Sequence, residues 1–437
     1  MRILSFFFLV LLLLTPSWAA PLRTLLFVQW SDIHHGHEQT RTADWEKALC
    51  DGLALRPEVL ALTGDLVDNK CPPEEFWKRI EGFLGTWAPR LLSARVPLIL
   101  TLGNNDVPSN YQTEPGELAR VLASWRRHLG PSFYLDDLGN GVHPETVAGM
   151  TWISLNSLVF SPRNQFEGKG LQAHRTLKWL QQQLAALPEG RPVVLASHIP
   201  PTWDQFGHAP VWDPVEIQRF TKVLEGHRAP VLVLSGHFHR NEVHALSLSD
   251  GRAVPILAAG GISGKYGYRP NWRSYYWTLD SRSWPQRINW RNRYLADSRW
   301  DQTWQVDQPG LSRTWSQYVI RLANNPRFYL DYMRDFWANQ DSWRANALKP
   351  GVREGILDEV FVRPRSGAGV SASHHGPEGV ARPRLLVAGG LLPVAPAAQA
   401  VQDVDDSAQE FFGRRVLLAP RGSAEESLEE QGFLFVA

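Results

Sequence analysis

Cysteine is nearly missing from this chain of 437 residues: only Cys50 and Cys71 occur, and methionine is limited to three. The two cysteines lack the paired spacing of thiolate sites, which excludes them as metal ligands. Excess charge is missing too, with 45 Lys and Arg against 44 Asp and Glu. A chain without bulk positive charge has no obligate nucleic-acid partner, since a polyanion is held through that charge. There is no Gly-rich nucleotide loop of the Walker type, no Ser-His-Asp hydrolase motif and no internal repeat. The one long apolar run, Ile3 to Leu14, is too short to span a bilayer.

That run follows Met1-Arg2 and precedes Thr15-Pro16-Ser17-Trp18-Ala19-Ala20, the layout of a secretory signal peptide over residues 1–19 cut after Ala19. Cleavage removes Arg2 and leaves a formally neutral chain, secreted or periplasmic, with no transmembrane segment. Exported thiols meet oxidising conditions, so the sequence predicts a Cys50–Cys71 disulfide, two buried free thiols being the alternative.

Hydrophobic residues make up 43% of the chain, enough for a sizeable core, and 19 tryptophans suggest thick packing layers or a ring-lined cleft. All of those tryptophans lie before Lys349. The remainder contains no Trp, Tyr, Lys or Asn and is rich in Arg, Ala, Gly, Pro and Val. This composition reads as a disordered tail over 349–437, or as the product of a shifted reading frame near Pro350. The adjacent His374 and His375 fall in it and receive no metal role.

Between these ends, β-rich apolar runs recur at Leu22 to Trp30, Val59 to Thr63, Val96 to Leu102, Met150 to Leu155, Val193 to Ala196 and Val231 to Leu234. Helical stretches alternate with them, the clearest being Leu171 to Leu187, where Leu177, Leu180, Leu184 and Leu187 share one face. Strand-like runs follow at Tyr276 to Leu279 and Gln286 to Tyr294, then a helical aromatic stretch from Ser312 to Trp343. The alternation predicts an α/β sandwich.

Five polar motifs sit just after apolar runs: Asp32-Ile33-His34, Gly64-Asp65, Gly103-Asn104-Asn105-Asp106, Ser197-His198 and Gly236-His237-Phe238-His239. Ligands collect beyond the carboxyl ends of strands in such sheets, so this shared placement predicts one site. Two carboxylates, a carboxamide and four imidazoles suit two borderline divalent cations. Asp65 is the expected bridge between ions roughly 3.5–4 Å apart. Asp32, His34 and His239 would complete one ion's set, and Asn104, His198 and His237 the other's. His237 and His239, two apart on an extended segment, would point the same way and reach different ions. Two dications against two carboxylates and a bridging hydroxide leave one positive charge, which a phosphodiester anion neutralises as the hydroxide attacks phosphorus in line.

These motifs resemble the calcineurin-like metallophosphoesterase superfamily, and more narrowly the acid sphingomyelinase-like phosphodiesterases. The supporting stretches are SDIHHGH, LTGDLVDN, LGNNDVPSN, SHIPP, SGHFHR and RPNWRSYYWTLD. The resemblance implies a metallophosphoesterase-type four-layer α/β/β/α sandwich over residues 20–295, with a helical C-terminal extension over 296–348. It also implies two divalent ions, zinc first, with manganese or iron as alternatives. Hydrolysis of a phosphodiester or phosphoanhydride is implied, on a phosphate-ester small molecule, a lipid head group or polyphosphate. The residue after the metal-binding Asn is a histidine in most relatives, and here it is Asn105. Asparagine can hydrogen-bond a phosphoryl oxygen but supplies no proton. A Gly-Asn-Asn-Asp version is similar to that of fungal endopolyphosphatases, whose leaving groups are acidic. A substitute imidazole would come from His35, His37 or His208, although the first two flank a metal motif and suit a supporting role. A non-catalytic protein that binds a phospho-ligand through metal is the reading from another class.

Overall fold

The computed structural model describes residues 22–204 and 209–295, together with two strand segments at 304–307 and 361–362. All belong to the unit spanning Met1–Leu385. The leader, the helical extension and the tail expected from sequence lie outside the described residues, apart from those two segments.

Two mixed sheets stack face to face. The first has the order β12-β11-β10-β1-β2-β3, with β1 at Arg23–Trp30, β2 at Val59–Leu62, β3 at Leu98–Leu100, β10 at Asn271–Leu279, β11 at Pro285–Tyr294 and β12 at Trp304–Asp307. In it β1, β2 and β3 run parallel, while β10 pairs antiparallel with β1. The second has the order β13-β8-β9-β7-β6-β5-β4. Its strands are β4 at Gly141–Val142, β5 at Thr151–Leu155, β6 at Val193–Ser197, β7 at Val231–Ser235, β8 at Glu242–Ser247, β9 at Ala253–Ala258 and β13 at Phe361–Val362. Here β5, β6, β7 and β9 are parallel neighbours.

Strand alternation decides what each face meets. On β1, Leu25 and Phe27 point between the sheets, whereas Val28 and Trp30 point outward. The same split places Val194 and Ala196 of β6 inside, with Val193 and Leu195 outside. The inner layer is aromatic: Phe27 stacks on Tyr275 at 4.4 Å between ring centres and meets Trp152 and Trp277 edge-on at 5.2 and 4.9 Å. Eight tryptophans are fully buried in these layers, so packing explains them rather than a ring-lined cleft.

Helices cover both outer faces and complete four layers. Helices α1 (Thr42–Ala54), α2 (Pro73–Ser93) and α3 (Pro115–Leu129) pack on the first sheet through Trp45, Leu49, Phe76, Ile80, Val121 and Trp125. Helices α4 (Lys169–Ala186) and α5 (Pro214–Glu225) cover the second through Leu177, Leu180, Phe220 and Leu224. Three of them start with Pro in the first turn and carry Glu there, which presets φ and complements the helix dipole.

The expected disulfide does not form, and both cysteines are free. Cys50, on α1, lies 3.2 Å from the guanidinium of Arg90 in the last turn of α2, whereas Cys71 immediately precedes the first turn of α2. A helix of 21 residues is about 30 Å long. Bridged cysteines need Cα atoms within about 7 Å.

Candidate metal centre

Every motif read from the sequence leaves a parallel strand at its carboxyl end. Asp32 follows β1, Asp65 follows β2, Asn104 follows β3, His198 follows β6 and His237 follows β7. The first three come from one sheet and the last two from the other, so the side chains converge where the sheets meet. Main-chain bonds tie these loops together: Asp32 N–H donates to Gly64 at 3.1 Å, His34 N–H to Asp65 at 2.9 Å and Gly236 N–H to His198 at 2.9 Å.

Such close approach constrains the backbone. Gly64, at φ +88°, could not carry a Cβ without coming within 2.7 Å of Gly103 N and His198 Nδ1. Asp32, His34, Asp65, His237 and His239 all have positive φ, between 47° and 77°. Residues other than glycine rarely adopt this left-handed conformation, which costs on the order of 1–3 kcal/mol each and concentrates at functional sites. His237 and His239 therefore reach different partners through a bent segment, not the extended one expected.

The side chains form two linked clusters. In the first, His34 Nε2 is 3.1 Å from His239 Nε2, and Asp32 Oδ1 lies 3.4 Å from His239 Nε2. In the second, Asn104 Oδ1 is 3.1 Å from His198 Nε2 and 3.0 Å from His237 Nδ1. Asp65 Oδ2 stands between them, 3.3 Å from His34 Nε2 and 3.4 Å from His198 Nε2. Asp32, His34 and His239, and likewise Asp32, Asp65 and His198, are buried groups close enough to share an ion. Asp32 is common to those two triads, yet Asp65 is nearly equidistant from one histidine of each cluster and is the better-placed bridge.

A metal fits these donors. Edges of 3.0 to 3.4 Å are what four or six ligands at about 2.0–2.1 Å from an ion produce. Asp32 Oδ1 is fully buried with no hydrogen-bond partner, while its Oδ2 accepts from Ser31 Oγ at 2.6 Å and from His237 N–H at 2.9 Å. Facing lone pairs on His34 and His239 need a cation or a proton between them. On three of the four histidines the outer ring nitrogen is engaged, as ligand histidines require. His198 Nδ1–H donates to Thr63 C=O at 2.7 Å, His34 Nδ1 meets Asp68 at 3.4 Å and His239 Nδ1 meets Ser263 Oγ at 3.3 Å.

Charge is balanced tightly within the cage. Burial penalises charge on Asp65, but His198 and His34 hold it well below the usual carboxylate range. Against its own burial, His198 is raised to about 9 by Asp65. Burial, aided by the charge on His198, pushes His237 down to about 3, and burial likewise leaves His239 neutral. Neutral imidazoles and ionised carboxylates are the forms that bind metal.

Residues 25–241 match the family model described as calcineurin-like phosphoesterase. The chain carries a calcineurin-like phosphoesterase domain. The family is one of metal-dependent phosphoric ester hydrolases with two divalent metals, and the clusters above supply candidate residues for both. In fold the chain is similar to a dimetal phosphatase from Danio rerio, at 14% identity and a TM-score of 0.47, over 65% of this chain and 99% of that one. It is also similar to GAP50, the anchor in the inner membrane complex of Plasmodium, at 11% identity and a TM-score of 0.42, over 65% and 89%. A third likeness is to a protein of Thermus thermophilus, at 12% identity and a TM-score of 0.34, over 64% and 99%. None of the curated proteins matches the chain.

Around this phosphoesterase centre the remaining expected residues are placed differently. Asn105 turns its amide onto Asp65: Nδ2 donates to Asp65 Oδ2 and the main-chain N–H to Asp65 Oδ1, both at 2.7 Å. His35 turns onto α2, 5.6 Å from the Phe83 ring, where burial and the Arg79 charge lower its pKa. His208 lies outside the described residues. Several partners had no assigned role in the sequence. Asp106 accepts from the N–H groups of Asp65, Leu66 and Gly103 at 2.7 to 2.8 Å and so joins two motif loops. Asp68 couples His34 to Lys265, whose Nζ lies 3.3 Å from its Oδ1. Tyr111, whose ring meets His237 edge-on, and the exposed Arg163 above it line the rim. Asp68 and Asp106 stand inside the matched motifs, which was the available signal; Lys265 had none.

Proposed function

We propose that the chain is an exported phosphoesterase of the acid sphingomyelinase-like type, cleaving a phosphodiester or phosphoanhydride with two divalent ions, zinc first among them. Asp32, His34 and His239 would hold one ion, Asn104, His198 and His237 the other, and Asp65 both. The observation that carries this reading is Asp65 Oδ2, set 3.3 and 3.4 Å from histidines of the two clusters. When bound, the ions would supply Lewis-acid polarisation of the phosphoryl oxygens and activation of water as nucleophile. The chain's own groups hold the cage: Asn105 and Asp106 fix Asp65 and its loop, Asp68 orients His34, and Thr63 C=O holds the Nδ1 proton of His198. Arg163 at the rim favours an anionic substrate. Secretion or periplasmic residence rests on the segment Met1 to Ala19.

The bond cleaved follows from Asn105. Its carboxamide is committed to Asp65 and carries no titratable proton, so a substrate whose leaving group needs no protonation suits this centre. That favours a phosphoanhydride such as polyphosphate, or an activated diester, over a lipid diester with an alkoxide leaving group. The purified, metal-loaded protein and its Asp65→Ala variant should be offered bis-p-nitrophenyl phosphate, polyphosphate and sphingomyelin side by side. Turnover of the first two exceeding the third, and lost in the variant, is expected. Undiminished turnover by Asp65→Ala would sink the dimetal reading, and preference for sphingomyelin would overturn the leaving-group argument. Tight metal binding with no turnover of any ester would favour a binding protein.

A further inference from the structure

The loop after β3 closes on itself. Tyr111 N–H donates to Asn104 C=O at 3.3 Å, and Asn69 Nδ2 donates to Val107 C=O at 2.9 Å and lies 3.4 Å from Asn104 C=O. This closure returns Asn110, six residues along, to the side chain of Asn104. Asn104 Nδ2 donates to Asn110 Oδ1 at 2.8 Å, while its Oδ1 faces His198 and His237 at 3.1 and 3.0 Å.

The two ends of a carboxamide have the same shape and opposite chemistry. Only the oxygen can bind a metal ion. Turned over, Asn104 would point an NH2 group at His198 and His237 in place of the ligand oxygen, which blocks the ion. It would also bring two amide oxygens into contact at the position of Asn110 Oδ1. With its oxygen presented, Asn110 penalises the blocking orientation of Asn104 and favours the binding one.

Resting on the ligand role proposed above for Asn104, we propose that Asn110 is a positioning residue that selects the metal-binding orientation of the Asn104 carboxamide. It touches neither ion nor substrate. Its side chain is exposed, so removing it leaves the core packing alone.

The test is metal affinity, read by titrating zinc into metal-free full-length protein against a competing chelator. Asn110→Ala should weaken one of the two dissociation constants by about 10–100-fold, the usual effect of losing a ligand's supporting partner, and leave the other alone. Its metal-free melting temperature should match the parent's. Asn110→Asp keeps the acceptor and should retain both ions. In an Asn104→Asp background, where both ends are oxygen, Asn110→Ala should cost nothing. Unchanged constants in Asn110→Ala, or the same loss in the Asn104→Asp background, would overturn the orientation claim. If Asn104→Ala itself keeps both ions at parental affinity, the ligand reading has failed instead.

Discussion

Asp106 shows how much a single buried carboxylate organises here. It is fully buried and accepts from main-chain N–H groups of two loops, those carrying Asp65 and Asn104. Burial and the neighbouring Asp65 charge push its pKa up to about 7, while the donors from Gly103 and Leu66 pull the other way. An amide at this position would turn NH2 toward N–H and leave buried donors unpaired. Asp106→Asn should therefore lose about 2–4 kcal/mol of stability in the metal-free protein, measured by urea unfolding. A loss below about 0.5 kcal/mol, the range of ordinary surface changes, would mean that these bonds do not hold the loops together. Residue types were legible in the sequence at this scale, but orientations were not. The spacing of Asn104 and Asn105 marks a ligand and its neighbour, yet nothing in it indicates that Asn105 turns onto Asp65 or that Asn110 returns to Asn104. Those contacts depend on loop closure by Asn69 and Tyr111.

Strands were the most legible elements, because β1, β2, β6 and β7 are short apolar runs bounded by polar turn residues. Their ends fell within two residues of the apolar runs, and the motifs followed at once. The backbone that makes those motifs into a site was hidden. Five candidate ligands sit at positive φ, a conformation imposed by contacts such as Gly64 against Gly103 and not by local preference. The cysteines failed for a related reason. Composition and leader argued for pairing, but α2 holds Cys50 and Cys71 near its opposite ends. Two free thiols should be titrated by a thiol reagent after unfolding without reductant, and reductant should not shift the melting temperature. A reductant-sensitive melting transition, or no titratable thiol, would restore the disulfide.

The described residues form two sheets whose apolar inner layer sets how their loop ends meet. Phe27, Trp152, Tyr275 and Trp277 fill the space between the sheets, while Asp32, Asp65 and Asn104 leave one and His198 and His237 leave the other. The cage is thus assembled only in the folded chain. In the protein without metal its charges interact directly, and Asp65 raises His198 to about 9 from an ordinary 6.5. A raised histidine stabilises the fold fully below about 6.5, and this contribution is lost as pH rises through about 9. Metal must displace that proton, so binding should release protons between these limits and tighten as pH rises.

A calorimetric titration of the metal-free protein with zinc at pH 7.5, repeated in buffers of different ionisation enthalpy, reads stoichiometry and proton release together. Binding of about two ions per chain is the expected result, with a heat that depends on the buffer and a stoichiometry that falls in Asp65→Ala. One ion or none in the parent, or two in Asp65→Ala with unaltered affinity, would contradict a bridged dimetal centre.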